Sequence, residues 1–209
     1  TVCLSGDGGD ELFAGYRRHR WHMLEERIRS MVPTAIRKPL FNALGNYYPK
    51  LDWAPKYLRA KSTFQALQRE ALQAYLHTMS IIPEQIYSGL FTQEFNKQLQ
   101  GYRSIEVFKE HQQTFDGSDP LSLIQYLDMK TYLPADILTK VDRASMAHSL
   151  EVRVPIIDHK FLEWANGIPS NLKLQRREGK AIFKKALEPH LPEDVLYRPK
   201  MGFAVPITK

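Results

Sequence analysis

Cysteine is nearly missing from this chain: Cys3 is the single one among 209 residues. One thiol excludes an internal disulfide and favours a reducing cytosol, so a cytoplasmic location is the expectation. No apolar run approaches the length of a membrane span, and no secretory signal is visible. Internal repeats and low-complexity tracts are missing too. Acidic residues fall short of basic ones, 23 against 29, which leaves a formal charge of +6. That balance fits anionic ligands, nucleotides or nucleic acid, without separating them. What is present is a globular composition, 43% hydrophobic and 11% aromatic, on a chain long enough to bury a full core.

The stretch Thr1–Tyr16 organises the rest. Val2–Leu4 reads as the end of a buried strand, and Gly6, Gly8 and Gly9 then alternate with Ser5, Asp7 and Asp10. Leu12, Phe13, Tyr16, Leu24 and Ile28 follow at helical spacing, which predicts one long helix from Asp10 to about Met31. Strand, glycine-rich turn and helix form the geometry in which α/β proteins bind ligands. Glycines let the backbone approach a ligand and offer its N–H groups. Two carboxylates there would repel a bare phosphate, so a phosphate ligand implies a divalent cation between them. The alternative is an ordinary strand–helix turn in which Asp10 is the N-cap.

Arg17, Arg18, His19, Arg20 and Arg27 are expected on the outer face of that helix as a solvated basic surface. Aromatic residues suited to base stacking are thin there, so no nucleic acid is expected as partner. Pro33 ends the helix, and Thr34–Leu44 predicts a short one closed by Gly45. From Pro55 to Phe115 apolar residues recur at helical spacing, with no convincing strand alternation. Asp119-Pro120 opens a further helix, with Asp119 as N-cap, Leu121, Ile124 and Leu127 on its apolar face, and Pro134 breaking it.

The segment 136–159 mixes charge with apolar residues most densely. Helical projection puts Asp136, Lys140 and Arg143 on one face, with Asp142 and Ser145 beside it. Two readings stand open: a buried ion-pair network of Asp142, Arg143, Glu151 and Arg153, or a polar wall facing a charged ligand. Gly179-Lys180 begins a basic helix with Lys180 in its first turn, where an anion is welcome and a cation is not. Lys200 sits in a Pro/Gly-bounded loop, Tyr197–Phe203.

Taken together, Ser5–Tyr16, Lys140–Met146, Leu150–Asp158, Gly179-Lys180 and Arg198–Phe203 resemble the synthetase domain of glutamine-hydrolysing asparagine synthetases. The resemblance implies the C-terminal portion of an ATP pyrophosphatase-type α/β domain over 1–209, with a helical insertion at about 33–117. The chain itself is expected to be mainly α, with one strand of the parent's parallel sheet. Implied chemistry is activation of aspartate as its acyl-adenylate, with ATP and Mg²⁺. Ammonia from glutamine, delivered by a glutaminase domain of the same parent chain, then attacks. Ser5, Gly6 and Gly8 match nucleotide-binding positions, and Asp10 matches the magnesium ligand. Asp7 matches an acidic position tied to adenylate formation and proton removal. It is Asp where the bacterial and animal enzymes carry Glu. Lys180 and Lys200 match lysines that grip pyrophosphate. Lys140, Asp142 and Arg143 would line the substrate side.

The family's SGGxDS phosphate-binding loop and its glutaminase domain have no counterpart in the sequence. The expectation is a fragment that is silent alone, from a parent that is the enzyme. A homodimer is allowed, and no membrane is implied. Two other functions stay open: a related amidotransferase acting on another carboxylate, or a non-catalytic basic helical module.

Overall fold

A computed structural model describes residues 1–51, 53, 55, 58–82, 84–176 and 178–198. Its architecture is mainly helical, but the expectation of a single strand needs correction. Strand β1 (Val2–Leu4) pairs in parallel with β2 (Glu151–Arg153), placing Val2 opposite Glu151 and Leu4 opposite Arg153. Ser5 N donates to Arg153 O at 2.8 Å, carrying the pairing into the glycine turn. Strand β2 lies inside the densely charged segment 136–159, and three residues are too few to display a period of two. A second, antiparallel pair joins β3 (Leu174–Gln175) to β4 (Glu178–Gly179) around Arg176, whose φ is 51°.

The long helix expected from Asp10 is two helices, α1 (Gly9–Leu12) and α2 (Arg17–Met31). Between them Ala14 takes a left-handed backbone with φ 55°, and Gly15 N donates to Asp10 O at 2.8 Å. Helix α3 (Thr34–Tyr47) runs through Gly45 instead of stopping there. The reason is packing: a Cβ on Gly45 would sit 3.2 Å from Gln65 of α4 (Lys61–Leu67), so this glycine allows two helices to approach. Buried Arg37 secures the same junction by donating to the carbonyls of Leu67 and Arg69.

Four more helices complete the middle: α5 (Ala71–Met79), α6 (Glu84–Leu90), α7 (Gln93–Gln98) and α8 (Ile105–Gln113). Helix α9 (Pro120–Lys130) starts where the sequence places it, with the Asp119 carboxylate accepting from Ser122 N at 2.7 Å. Pro134 does not break the chain beyond it. It lies in the first turn of a π-helical segment, Leu133–Leu138, which leads into α10 (Thr139–Met146). Near a helical start, a missing N–H leaves no bond unmade.

Two cores result. Ala14, Tyr75, Ile105, Phe108, Leu121, Ile124 and Leu127 form one. Helices α5 and α8, from the expected insertion, therefore share their core with α9 and with the turn after α1. The other gathers Leu12, Phe13 and Ala165, where Phe13 stacks on Phe183 at 4.8 Å. Helices α11 (His159–Asn166), α12 (Ser170–Lys173), α13 (Ala181–Leu187) and α14 (Glu193–Leu196) complete the described chain.

Candidate functional site

The glycine turn opens with Ser5 Oγ donating to Asp7 Oδ2 at 2.5 Å. Gly6 is exposed, and no atom lies within 4 Å of where its Cβ would be, so a ligand can approach the backbone there. Gly8 is the N-cap of α1, not Asp10: its φ is 83°, and a Cβ on it would collide with Ile157 at 2.2 Å. Both the backbone and the space therefore demand glycine. Asp10 occupies the first turn instead, where the helix dipole favours a carboxylate.

Residues far apart in sequence then meet. Lys180 Nζ lies 3.2 Å from Asp10 Oδ1, with both side chains partly exposed. Lys180 is the N-cap of α13 in a left-handed backbone, φ 58°, not a first-turn residue, and its N–H donates to Phe13 O at 2.8 Å. Two glycines make the approach possible. A Cβ on Gly179 would lie 2.3 Å from Ala14 O, and one on Gly15 would lie 1.8 Å from Asp10 Oδ1. A partly exposed carboxylate–ammonium pair beside an open turn can rearrange around an incoming anion or cation. Lys200 lies outside the described residues.

Lys140, Asp142 and Arg143 are exposed on α10. Lys140 pairs with Asp136 on its own helical face at 3.2 Å, and Ser145 Oγ donates to Asp142 O. The buried ion-pair network considered for this stretch does not form. Glu151 and Arg153 are exposed and pair with each other along β2 at 2.8 Å. Residues two apart on a strand share one face, and on β2 that face is open to water.

A different polar network, unread in the sequence, lies directly behind Asp10. Glu11 is buried, and its carboxylate accepts from Tyr16 OH at 2.7 Å. Burial raises the Glu11 pKa, and the Tyr16 bond opposes that only in part. The Arg18 guanidinium covers the Tyr16 ring at 3.6 Å and the Tyr132 ring at 4.7 Å. It donates to Asp128 Oδ2 at 2.8 Å and to Tyr75 OH at 3.0 Å, and Tyr75 OH donates to Asp128 Oδ1 at 2.8 Å. His19 Nε2 completes the set, 2.8 Å from Asp128 Oδ2. Gln125 Nε2 ties α9 to α1 by donating to Glu11 O at 2.5 Å.

The solvated basic face expected on α2 is therefore wrong for Arg18 and His19, which turn inward; Arg17 and Arg27 are exposed. His22 and Glu25 are buried on the same side, and Arg29 Nη2 lies 3.2 Å from Glu25. A sequence signal existed. His19, His22 and Glu25 recur at helical spacing, but a search for apolar periodicity does not register polar residues.

Comparisons with known proteins run along nearly the whole chain. The family model described as asparagine synthase matches residues 1–209. Asparagine synthetase [glutamine-hydrolyzing] 1 of Bacillus subtilis is 33% identical over 207 residues, 99% of this chain and 31% of that protein. Asparagine synthetase [glutamine-hydrolyzing] 3 of the same organism is 45% identical over 203 residues, 97% of this chain and 26% of the relative. The chain thus spans less than a third of the length of these curated relatives. No solved structure matches it.

Proposed function

The chain belongs to the asparagine synthase family, and on that premise we propose that the protein containing it forms asparagine in an ATP-dependent reaction. An oxygen of the aspartate side-chain carboxylate attacks the α-phosphorus of ATP, and the bond to pyrophosphate breaks. Ammonia derived from glutamine then attacks the β-aspartyl-AMP carbonyl, and AMP leaves. Residues 1–209 would be the C-terminal part of an α/β ATP pyrophosphatase domain, with β1 and β2 as two strands of its parallel sheet. The helical insertion would span about 33–117. The phosphate-binding loop and the glutaminase domain would be supplied by other parts of the same polypeptide, so this segment alone would be inactive.

The observation that carries the reading is the meeting of Asp10 and Lys180 beside an open glycine turn. Lys180 would bring a cation to where negative charge grows on departing pyrophosphate. The Gly6 backbone is accessible to the nucleotide, and Gly8 fixes the turn that presents it. Asp7 takes the proton that the attacking nitrogen loses, and the Ser5 hydroxyl orients its carboxylate.

Among the described residues no cluster of three or more His, Cys, Asp or Glu could hold a metal by itself. A magnesium ion does not ask for one. It is commonly bound through one or two carboxylates, with substrate phosphates and water completing the shell. Asp10 is a hard oxygen donor at the right turn, and a carboxylate has lone pairs enough for a lysine and a cation together. When bound, Mg²⁺ would neutralise phosphate charge there. Lys140, Asp142, Arg143 and Lys200 remain proposed substrate-side and pyrophosphate-side groups.

The test is pyrophosphate release by the full-length protein with ATP, Mg²⁺ and glutamine, with and without aspartate. Aspartate-dependent release with asparagine formed is the expected result. Lys180→Ala should lower kcat by about 10²–10³-fold, the loss typical of one transition-state charge partner. Asp10→Asn should abolish turnover. Absence of aspartate-dependent release from a folded protein would sink the assignment and move the search to other carboxylates.

A further inference from the structure

The outward face of α2 carries a surface that amide formation leaves unused. Arg17, Arg20 and Arg27 line a groove of about 820 Å³, and Arg176 lines it from the β3–β4 turn. Met23, Leu24, Leu121 and Leu174 supply apolar lining alongside these four guanidiniums, and Ser170 and Asn171 line the groove as well. Leu24 remains 43% exposed, a large apolar side chain in the midst of like charges. One acid, Asp119, also borders the groove, but its carboxylate is committed to capping α9 and accepts from both Ser122 and Ser170. None of these contacts involves Arg17, Arg27 or Arg176.

We propose that this groove docks an acidic, amphipathic peptide segment of a partner protein. Its Glu and Asp side chains would pair with Arg17, Arg27 and Arg176, and its apolar side chains would reach Leu24 and its neighbours. Guanidinium forks match carboxylates two bonds at a time, and an amphipathic segment in an apolar groove is a common mode of peptide recognition. Nucleic acid fits less well. Its recognition as a single strand needs successive aromatic platforms, and the groove offers one ring, Trp21, beside Arg17 at 5.8 Å. The apolar part of the lining also does nothing for phosphates. The proposal rests on α2 and its neighbours, so it stands or falls separately from the reaction proposed above.

The experiment is fluorescence anisotropy on the full-length protein with a labelled synthetic peptide in which Glu alternates with Leu and Phe. Polyglutamate of the same length and a thymidine oligonucleotide serve as competing probes. The peptide should bind, and should outcompete both. Affinity should fall at least about tenfold in Arg17→Glu/Arg27→Glu, and separately in Leu24→Lys. These positions are solvent-exposed, and circular dichroism checks that each variant is folded. Should the charge reversal unfold the protein, Leu24→Lys decides alone. Absence of peptide binding would overturn the proposal, as would affinity untouched by a folded variant. Equal binding of polyglutamate would reduce the groove to bulk charge and overturn it too. Tighter binding of the oligonucleotide would hand the groove to nucleic acid.

Discussion

The turn that carries Asp10 and the helix that follows it both handle charge, by opposite means. In the turn, glycines clear space so that Asp10 and Lys180 can touch while still partly in water. On the inward face of α2, charged and polar side chains are taken out of water and fixed against α9: Asp128 of α9 is fully buried and engaged by Arg18, His19 and Tyr75. A partly exposed pair exchanges partners at little cost, which suits a site that must admit a charged substrate. A buried cluster cannot, because removing one partner strands the others without solvent. The difference teaches that charge density in a sequence does not mark a site. Exposure and exchangeability do.

The strongest blow to this comparison falls on the buried side. Asp128→Ala leaves the Arg18 guanidinium and the inward His19 without their shared carboxylate. It should destabilise the protein by about 3–5 kcal/mol, the scale for breaking one side of a buried pair. Chemical denaturation against wild type measures it. A change under about 1 kcal/mol would show that the network is not what holds α2 to α9.

The next largest effect tests the clearances that build the turn. In Gly179→Ala the new methyl meets the Ala14 carbonyl, a backbone atom that cannot swing away. Overpacking of this kind costs about 1–3 kcal/mol. In Gly15→Ala the methyl meets the ends of the Asp10 and Lys180 side chains, which can move. Gly15→Ala should therefore cost less stability than Gly179→Ala while disrupting the ion pair more directly. Thermal melts and single-turnover pyrophosphate release on both variants would rank them. The reverse order would put the strain elsewhere.

How much of this was legible in the sequence follows from where each cause lies. The helical middle and the Asp119 cap were legible because periodicity and capping chemistry are local. Helix α3 ran past Gly45 because the demand on that glycine comes from Gln65, a partner that no local pattern names. The break after Leu12 has the same origin: Gly15 and Gly179 must fold against Asp10 and Ala14 before Lys180 can arrive. Asp10 and Lys180 were singled out by residue type and motif, yet their pairing and the left-handed backbone of Lys180 are tertiary facts. The Asp128 network escaped altogether, since a carboxylate within Leu127-Asp128-Met129 carries no sign that it turns inward.

The last predicted effect is also the most discriminating, because burial on α2 tilts stability with pH in two opposite directions. Burial lifts the Glu25 pKa from an ordinary 4.5 to about 7, despite the opposing Arg29 charge. Between those values the folded state holds a proton that the unfolded state has lost, so the contribution of Glu25 declines as pH rises from 4.5 through 7. His22 works the other way. Burial, helped by the charges of Arg29 and His19, lowers its pKa from 6.5 to about 3. The unfolded state then gains a proton first, and stability declines as pH falls from 6.5 through 3. From about 4.5 to 6.5 the two slopes oppose each other, so wild type should show a shallow profile there. Glu25→Gln should unmask a melting temperature that rises with pH across that window, and His22→Gln one that falls. Parallel profiles for wild type and both variants would mean that these groups titrate alike folded and unfolded. The inward face of α2 would then be as open to water as the turn before it, and the contrast between the two regions would be lost.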